Sequence, residues 1–315
     1  MDRDYNKYSA FQGVCCTETL SYIKRIHEAM PEKESYVMKD YGCSNGINSI
    51  PNIKLFKQLF KNGTVILNDV VDNNWDIVDT TVGCDSTIRF AKHSFYEASD
   101  SNHKIDFGYS NFALQWLSST PSRFGKKYLA NFIDDQSMAH HRKLWKDQSK
   151  EDMNLFLKYR DKEIVDDGFL LLGVQGTIGS GVLLSNMYDL LQETKETFGV
   201  DMDFVLPEWM RTMDEITDVV DTRVWEIVDT KTLCIECPIY EQMKRGMCSF
   251  EKYVEYNVGV TKSFVDRTLV GQIGRDRADR FWEIFHTKAM ADRTGASILP
   301  TTYYHYVLLR KQSNP

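Results

Sequence analysis

The chain has 315 residues, 42% of them hydrophobic and 12% aromatic, enough to bury the core of one large domain or of one domain with a substantial insertion. Its 38 Lys and Arg against 45 Asp and Glu leave a net charge of −7. That balance excludes a general nucleic-acid binder, which needs surplus cations to displace phosphate counterions. No stretch approaches the roughly 20 apolar residues of a membrane span, and the polar opening MDRDYNKYSAFQ holds no signal-peptide core.

Seven cysteines without a secretory signal read as reduced thiols of a cytoplasmic protein. "LCIECP" places Cys234 and Cys237 at C-x-x-C spacing, but no second pair completes a tetrahedral zinc set, so both are read as strand core and no metal is expected. His140 and His141 are adjacent, and neighbours on a helix do not share a face, so they are read as solvent-facing. The chain contains no Gly-x-Ser-x-Gly elbow, His-Glu-x-x-His or Walker loop.

In chain order, "SYVMKDYG" (35–42) predicts a strand and "INSIPNIKLFKQLFK" (47–61) a helix. "TVILND" (64–69) is a second strand ending in a carboxylate. "IRFAKHSFY" (88–96) and "KIDFGYSNFALQWL" (104–117) begin as strands and end in polar or aromatic turns. "EDMNLFLKYRDKEIV" (151–165) predicts a helix with Leu155, Leu157, Ile164 and Val165 inward and its charges outward. An Asp-Gly turn then leads into the buried strand of "DDGFLLLGVQG". "VLLSNMYDLLQET" and "LPEWMRTMDEITDVVD" read as two helices of an inserted cap, 223–243 as extended structure, 262–292 as helical and "TTYYHYVLLRK" (301–311) as a last strand.

This alternation implies a mostly parallel α/β sheet with helices on both faces, whose ligands lie beyond the carboxyl ends of the strands. Asp40, Asp69, Ser94 and the "SNFALQW" turn all fall at such ends. In "KDYGCSNGINSI", Gly42 and Gly46 allow tight turning and close approach to a ligand, and the following helix offers free N–H groups to an anion. Asp40 is placed to take an ammonium group. Asp69, 27 residues beyond Gly42, is placed to accept two ribose hydroxyls. An amino-acid site beside a ribose site suggests S-adenosylmethionine (SAM). At this point an ordinary surface turn and an NAD site stay open, although G-x-G-x-x-G is absent.

Six segments in order resemble the SABATH methyltransferases, which methylate carboxylates of small acids or ring nitrogens of purine alkaloids. "DYGCSNGINS" is similar to D-L-G-C-S-x-G-x-N-[ST], "HSFYE" to G-S-F-Y and "YSNFALQWLSSTP" to S-S-Y-S-L-x-W-L-S-x-x-P. "DMNLFLKYRDKEIVDDGFLLLGVQG" resembles D-F-x-x-F-L-x-x-R-x-x-E-L-x-x-G-G-x-M-V-L, and "DFVLPEW" and "FVDRTLVGQIG" echo two later motifs. The resemblance implies a Rossmann-like class I methyltransferase sheet formed by residues 1–181 and 251–315, with a mainly helical cap, 182–250, over the substrate.

It also implies roles. Tyr5, Ser9, Asp40, Gly42, Asn48, Asp69, Val70, Ser94 and Phe95 hold SAM; Gln12 and Trp116 orient the substrate carboxylate; Phe112, Gln115 and Tyr188 shape the rest of the substrate pocket. Partners are a small carboxylic acid and, by resemblance, a second copy in a homodimer. The departures are MDRD in place of the family's M-N-G-G leader, Phe112 for a common Tyr, Gln115 for His or Met, and Tyr188 for Trp. The expected reaction transfers a methyl group to a carboxylate; methylation of a heterocycle nitrogen and SAM binding without turnover are the alternatives.

Overall fold

The computed structural model describes residues 5–98, 103–123, 136–178, 185–199, 206–292 and 301–313. Seven strands form one sheet: β1 (Tyr36–Tyr41), β2 (Gly63–Asp69), β3 (Ile88–Lys92), β4 (Ile105–Asn111), β5 (Ile164–Gly176), β6 (Trp225–Glu236) and β7 (Thr301–Lys311), in the order β3-β2-β1-β4-β5-β7-β6. Strands β1 to β5 are mutually parallel, and β7 runs antiparallel to both its neighbours. The chain first winds outward from β1 to β3 and then returns to lay β4 beside β1. That reversal opens a crevice at the carboxyl ends of β1 and β4, where ligands bind in sheets of this type.

Alternate residues of each central strand feed two cores. On β5, Phe169 and Leu171 face one core while Leu170, Leu172 and Val174 face the other. The first core packs α1 (Ala10–Ala29), α2 (Ile50–Leu59), α3 (Trp75–Val82), α5 (Ser185–Phe198), α8 (Phe250–Ile273) and α9 (Arg275–Ala291). The second packs α4 (Ala139–Glu163) and the short α6 (Met213–Thr217). Both faces of the sheet are therefore covered, as the strand–helix alternation predicts.

Several expectations are corrected. The stretch 206–211 is extended rather than helical: Glu208 bridges to Trp116 and Arg211 to Gly176, and only the capping box of Thr212 and Glu215 starts α6. Within 223–243, residues Pro238–Lys244 form α7, with Pro238 in the first turn where its missing N–H is harmless. Residues 225–236 are extended, as their sequence predicts, and form the edge strand of the main sheet because they pair with β7. Cys234 is exposed on that edge, and Cys237 is buried at the start of α7, not within a strand. The Asp-Gly turn lies inside β5 as a bulge, with Asp167 at φ +62° and the pairing with β4 shifted there.

A further correction concerns charge. α4 buries Asp152, Arg160 and Glu163 among its apolar residues instead of turning them outward, and Ile164 already belongs to β5. Lys39 of β1 supplies the reason. Its Nζ lies 3.3 Å from Glu163 Oε2, Arg160 Nη2 lies 3.0 Å from Oε1, and the Tyr41 hydroxyl donates to Oε2 at 2.6 Å. The guanidinium of Arg160 stacks over Tyr41, 4.3 Å from the ring centroid. Burial lowers the Lys39 ammonium to about 8 although Glu163 opposes the shift. Burial pushes Glu163 up, yet Arg160 and Lys39 together outweigh it and its carboxyl lies below the ordinary value. Removing the shared anion strands two buried cations. Glu163→Ala is expected to lower the unfolding free energy by about 3–5 kcal/mol in urea titration at pH 7; adding Lys39→Met is expected to recover part of that loss.

Candidate active site

The loop after β1 is shaped by two constraints on Gly42. Its φ is +92°, and a Cβ there would lie 2.3 Å from the Cβ of Ala113 in the turn after β4. Only glycine permits the two turns to abut. Gly42 N–H and Cys43 N–H both donate to Asn68 O, at 2.8 and 3.0 Å, and fasten the loop to the end of β2.

Asp40 is 4% exposed; its Oδ2 accepts from Ser49 Oγ at 2.6 Å and Tyr109 OH at 2.8 Å. Both described hydrogen bonds go to one oxygen, which leaves Oδ1 for a cationic group. Burial raises this carboxyl to about 6, the two hydrogen bonds oppose the rise, and the charge of Asp69 adds to it. Asp69 accepts Ser44 N–H on Oδ2 at 2.7 Å and Val70 N–H on Oδ1 at 2.9 Å. Burial again prevails over these N–H groups, so its carboxyl lies above the ordinary value. Each carboxylate oxygen has two acceptor positions, so one remains free on each for a vicinal diol.

The neighbouring turns carry the other residues expected to hold the cofactor. Ser94 Oγ accepts Tyr96 N–H at 3.2 Å, and Phe95 is half-buried, with its ring 3.5 Å from the position of a Cβ on Gly42. Val70 is 43% exposed at the mouth of the crevice. Ser9 is buried just before α1, and Asn48 Oδ1 lies 3.6 Å from where a Cβ on Gly13 would stand. Tyr5 lies in a 3-10 turn, Tyr5–Tyr8, and Tyr188 in α5, but both side chains lie outside the described residues.

Of the residues expected around the substrate, Gln12 has a buried Oε1 without a hydrogen-bond partner among the described residues. Gln115 is buried; its Nε2 donates to Phe112 O at 3.1 Å, and its Oε1 has no partner either. Phe112 has a left-handed φ of +53°, held by its N–H against Gly173 O and Tyr304 OH at 3.2 and 2.9 Å. The half-buried Trp116 packs edge-on against Phe264 of α8 at 6.4 Å. Eight residues earlier on α8, Tyr256 OH donates to Tyr8 O at 3.1 Å and accepts Ala10 N–H at 2.9 Å. One helix thus bears both on the start of α1, which carries Gln12, and on Trp116. Tyr109, Ser49 and Tyr96 emerge only here: their sequence patterns read as ordinary strand or turn residues, and their partners are distant in the chain.

A seven-stranded sheet of this order, with acids at the ends of β1 and β2 around a glycine loop, defines a Rossmann-like class I methyltransferase fold. A profile of the SAM dependent carboxyl methyltransferase family matches residues 2–312, and the chain belongs to that family. It is 23% identical to methyltransferase FUS9 of Gibberella moniliformis over 76% of this chain and 72% of that protein. It is 22% identical to farnesoic acid carboxyl-O-methyltransferase of Arabidopsis thaliana over 90% and 89% of the two chains. The structure of a loganic acid methyltransferase with SAH superposes with a TM-score of 0.82 at 18% identity, covering 100% of this chain and 98% of the other, which shows the same fold.

The protein is a SAM-dependent small-molecule methyltransferase, and its residues fit the cofactor. The close approach at Gly42 and the open positions on Asp40 and Asp69 lie at the carboxyl ends of the neighbouring strands β1 and β2. If Asp40 takes the cofactor's ammonium group, binding requires the carboxylate. Affinity for S-adenosylhomocysteine is expected to fall below pH 6 by a slope approaching about tenfold per pH unit, and to be weak and flat in Asp40→Asn, measured by calorimetry. For folding the sign is reversed: the raised pKa contributes stability below about pH 4 that is lost as pH rises through 6.

Proposed function

We propose that the chain methylates the carboxylate of a small organic acid within a dry niche lined by Gln12, Phe112, Gln115 and Trp116. The reaction is an in-line displacement, with a bond formed from the carboxylate oxygen to the methyl carbon and the carbon–sulfur bond broken. SAM, when bound, supplies the methyl group on a sulfonium centre; Asp40 and Asn48 would hold its methionine part, Asp69 its ribose, and Phe95, Ser94 and Val70 its base. A carboxylic acid with an ordinary pKa near 4 is already ionised at neutral pH, so no residue has to remove a proton.

The observation that carries this reading is the buried, unpartnered oxygen of Gln12. A half-turn of the amide puts Nε2 in the same place, where it donates to a carboxylate oxygen without change of shape. Trp116 makes no hydrogen bond through its indole N–H to a described residue, so a second neutral donor is available. Uncharged donors orient the anion without an ion pair that would blunt its nucleophilicity. Holding the reacting atoms about 3 Å apart lowers the barrier by several kcal/mol through proximity. Methylation of a ring N–H instead needs a proton acceptor, and none of these four side chains ionises.

The substrate cover would come from the segment 182–250, whose described helices include α5 and α7. The free state of the seven cysteines supports a cytosolic setting, and likeness to the family supports a homodimer. Incubation with methyl-labelled SAM and a panel of acids and heterocycles tests the reaction. Base-labile label on an acid is expected; base-stable label on a heterocycle overturns the carboxyl reading. Gln12→Ala is expected to lower kcat/KM about 10–100-fold, the effect of one hydrogen bond to a charged group.

A further inference from the structure

We propose that Tyr96 is a positioning residue that couples the cofactor turn to the substrate turn, an inference resting on the residue roles proposed above. Tyr96 is 7% exposed and follows Phe95 directly, with the two rings meeting edge-on at 4.6 Å. Its hydroxyl leaves the 94–96 turn altogether and donates to the backbone carbonyl of Trp116 at 2.7 Å, 20 residues along the chain. A single side chain therefore joins the residue assigned to the base of SAM to the residue assigned to the acid.

The surroundings make that link stiff. On the cofactor side, Arg160 Nη1 donates to Phe95 O at 2.9 Å, and the Phe95 ring stands edge-on to Phe156 at 5.8 Å. On the substrate side, Arg211, wholly buried, donates to the carbonyl of Leu114 and, at 3.0 Å, to that of Ser149. Trp209 N–H donates to Gln115 O at 2.9 Å, and Leu117 N–H to Pro207 O at 2.6 Å. These bonds anchor the substrate turn to α4 and to the extended segment 206–211. Among the hydrogen bonds of the described residues, the bond from Tyr96 is the one that reaches it from the turn bearing Phe95. A ligand that packs along Phe95 fixes the Tyr96 ring, and the fixed hydroxyl holds the Trp116 carbonyl. By linkage, an acid held at Trp116 strengthens cofactor binding in the same measure.

Hydrogen exchange of the full-length protein with and without S-adenosylhomocysteine tests the coupling. Ligand is expected to slow exchange at residues 42–46 and 69–70, and also to slow it about two- to tenfold at 113–117 and Trp209, the span of one hydrogen bond's net contribution. In Tyr96→Phe the first effect is expected to persist and the second to vanish. A residue that merely stabilised the turn would change free and bound proteins alike and leave the ligand-induced increment intact. Arg160→Lys, which loosens the Phe95 carbonyl and keeps the charge, is expected to reduce the same increment. Protection at 42–46 and 69–70 with none at 113–117 in the wild type, or an increment unchanged in both variants, overturns the coupling alone. Absence of protection at 42–46 and 69–70 overturns the site assignment beneath it.

Discussion

The contact between Gly42 and Ala113 sets the geometry of the site. Strands β1 and β4 are neighbours because the chain reverses direction across the sheet there, and their turns must pass each other at the carboxyl end. With any side chain at position 42 the two turns would be forced apart, since a Cβ would lie 2.3 Å from Ala113. Their proximity puts Asp40 and the Ser44 N–H that grips Asp69 on one side, and Phe112, Gln115 and Trp116 on the other. Methyl transfer needs donor and acceptor in line within van der Waals contact, and this abutment would bring the residues proposed to bind them to one place.

Electrostatics follow from burial at the same spot. Asp40 and Asp69 are both raised by desolvation, so burial works against their charge and a cationic or hydroxyl-bearing ligand would work for it. The substrate side offers amides and an indole in place of charge. The buried cations lie behind this layer: Lys39 and Arg160 share Glu163, and Arg211 is held by backbone carbonyls and by the Tyr96 hydroxyl. The protein thus keeps these buried cations for holding turns in place, and in the proposed reaction the acid would be oriented by groups that do not neutralise it.

How much of this was legible in the sequence depended on how local the cause was. The strand-end acids and Gly42 were readable because a strand, an acid and a glycine in succession have few other uses, and because the matching motifs are contiguous. The burial of Arg160 and Glu163 was not, since helical periodicity sends charged residues outward and the reason to turn them in is Lys39, on another element. Residues 206–211 carry helix-forming side chains, yet pairing with Trp116 and Gly176 overrides that preference. Tyr96 looks like any aromatic of a turn; its partner is a backbone carbonyl, which no side-chain pattern records. The edge position of β6 was equally hidden, because its exposed, mixed-polarity sequence declares neither core nor cap.

A crystal structure of the chain with S-adenosylhomocysteine tests the central claim most directly. The account predicts both ribose hydroxyls on Asp69, the ammonium group on Asp40, and the sulfur opening onto a space bordered by the Gln12 amide and the Trp116 indole. An adenosyl group bound at another edge of the sheet, or Gln12 and Trp116 turned away from the sulfur, would contradict it.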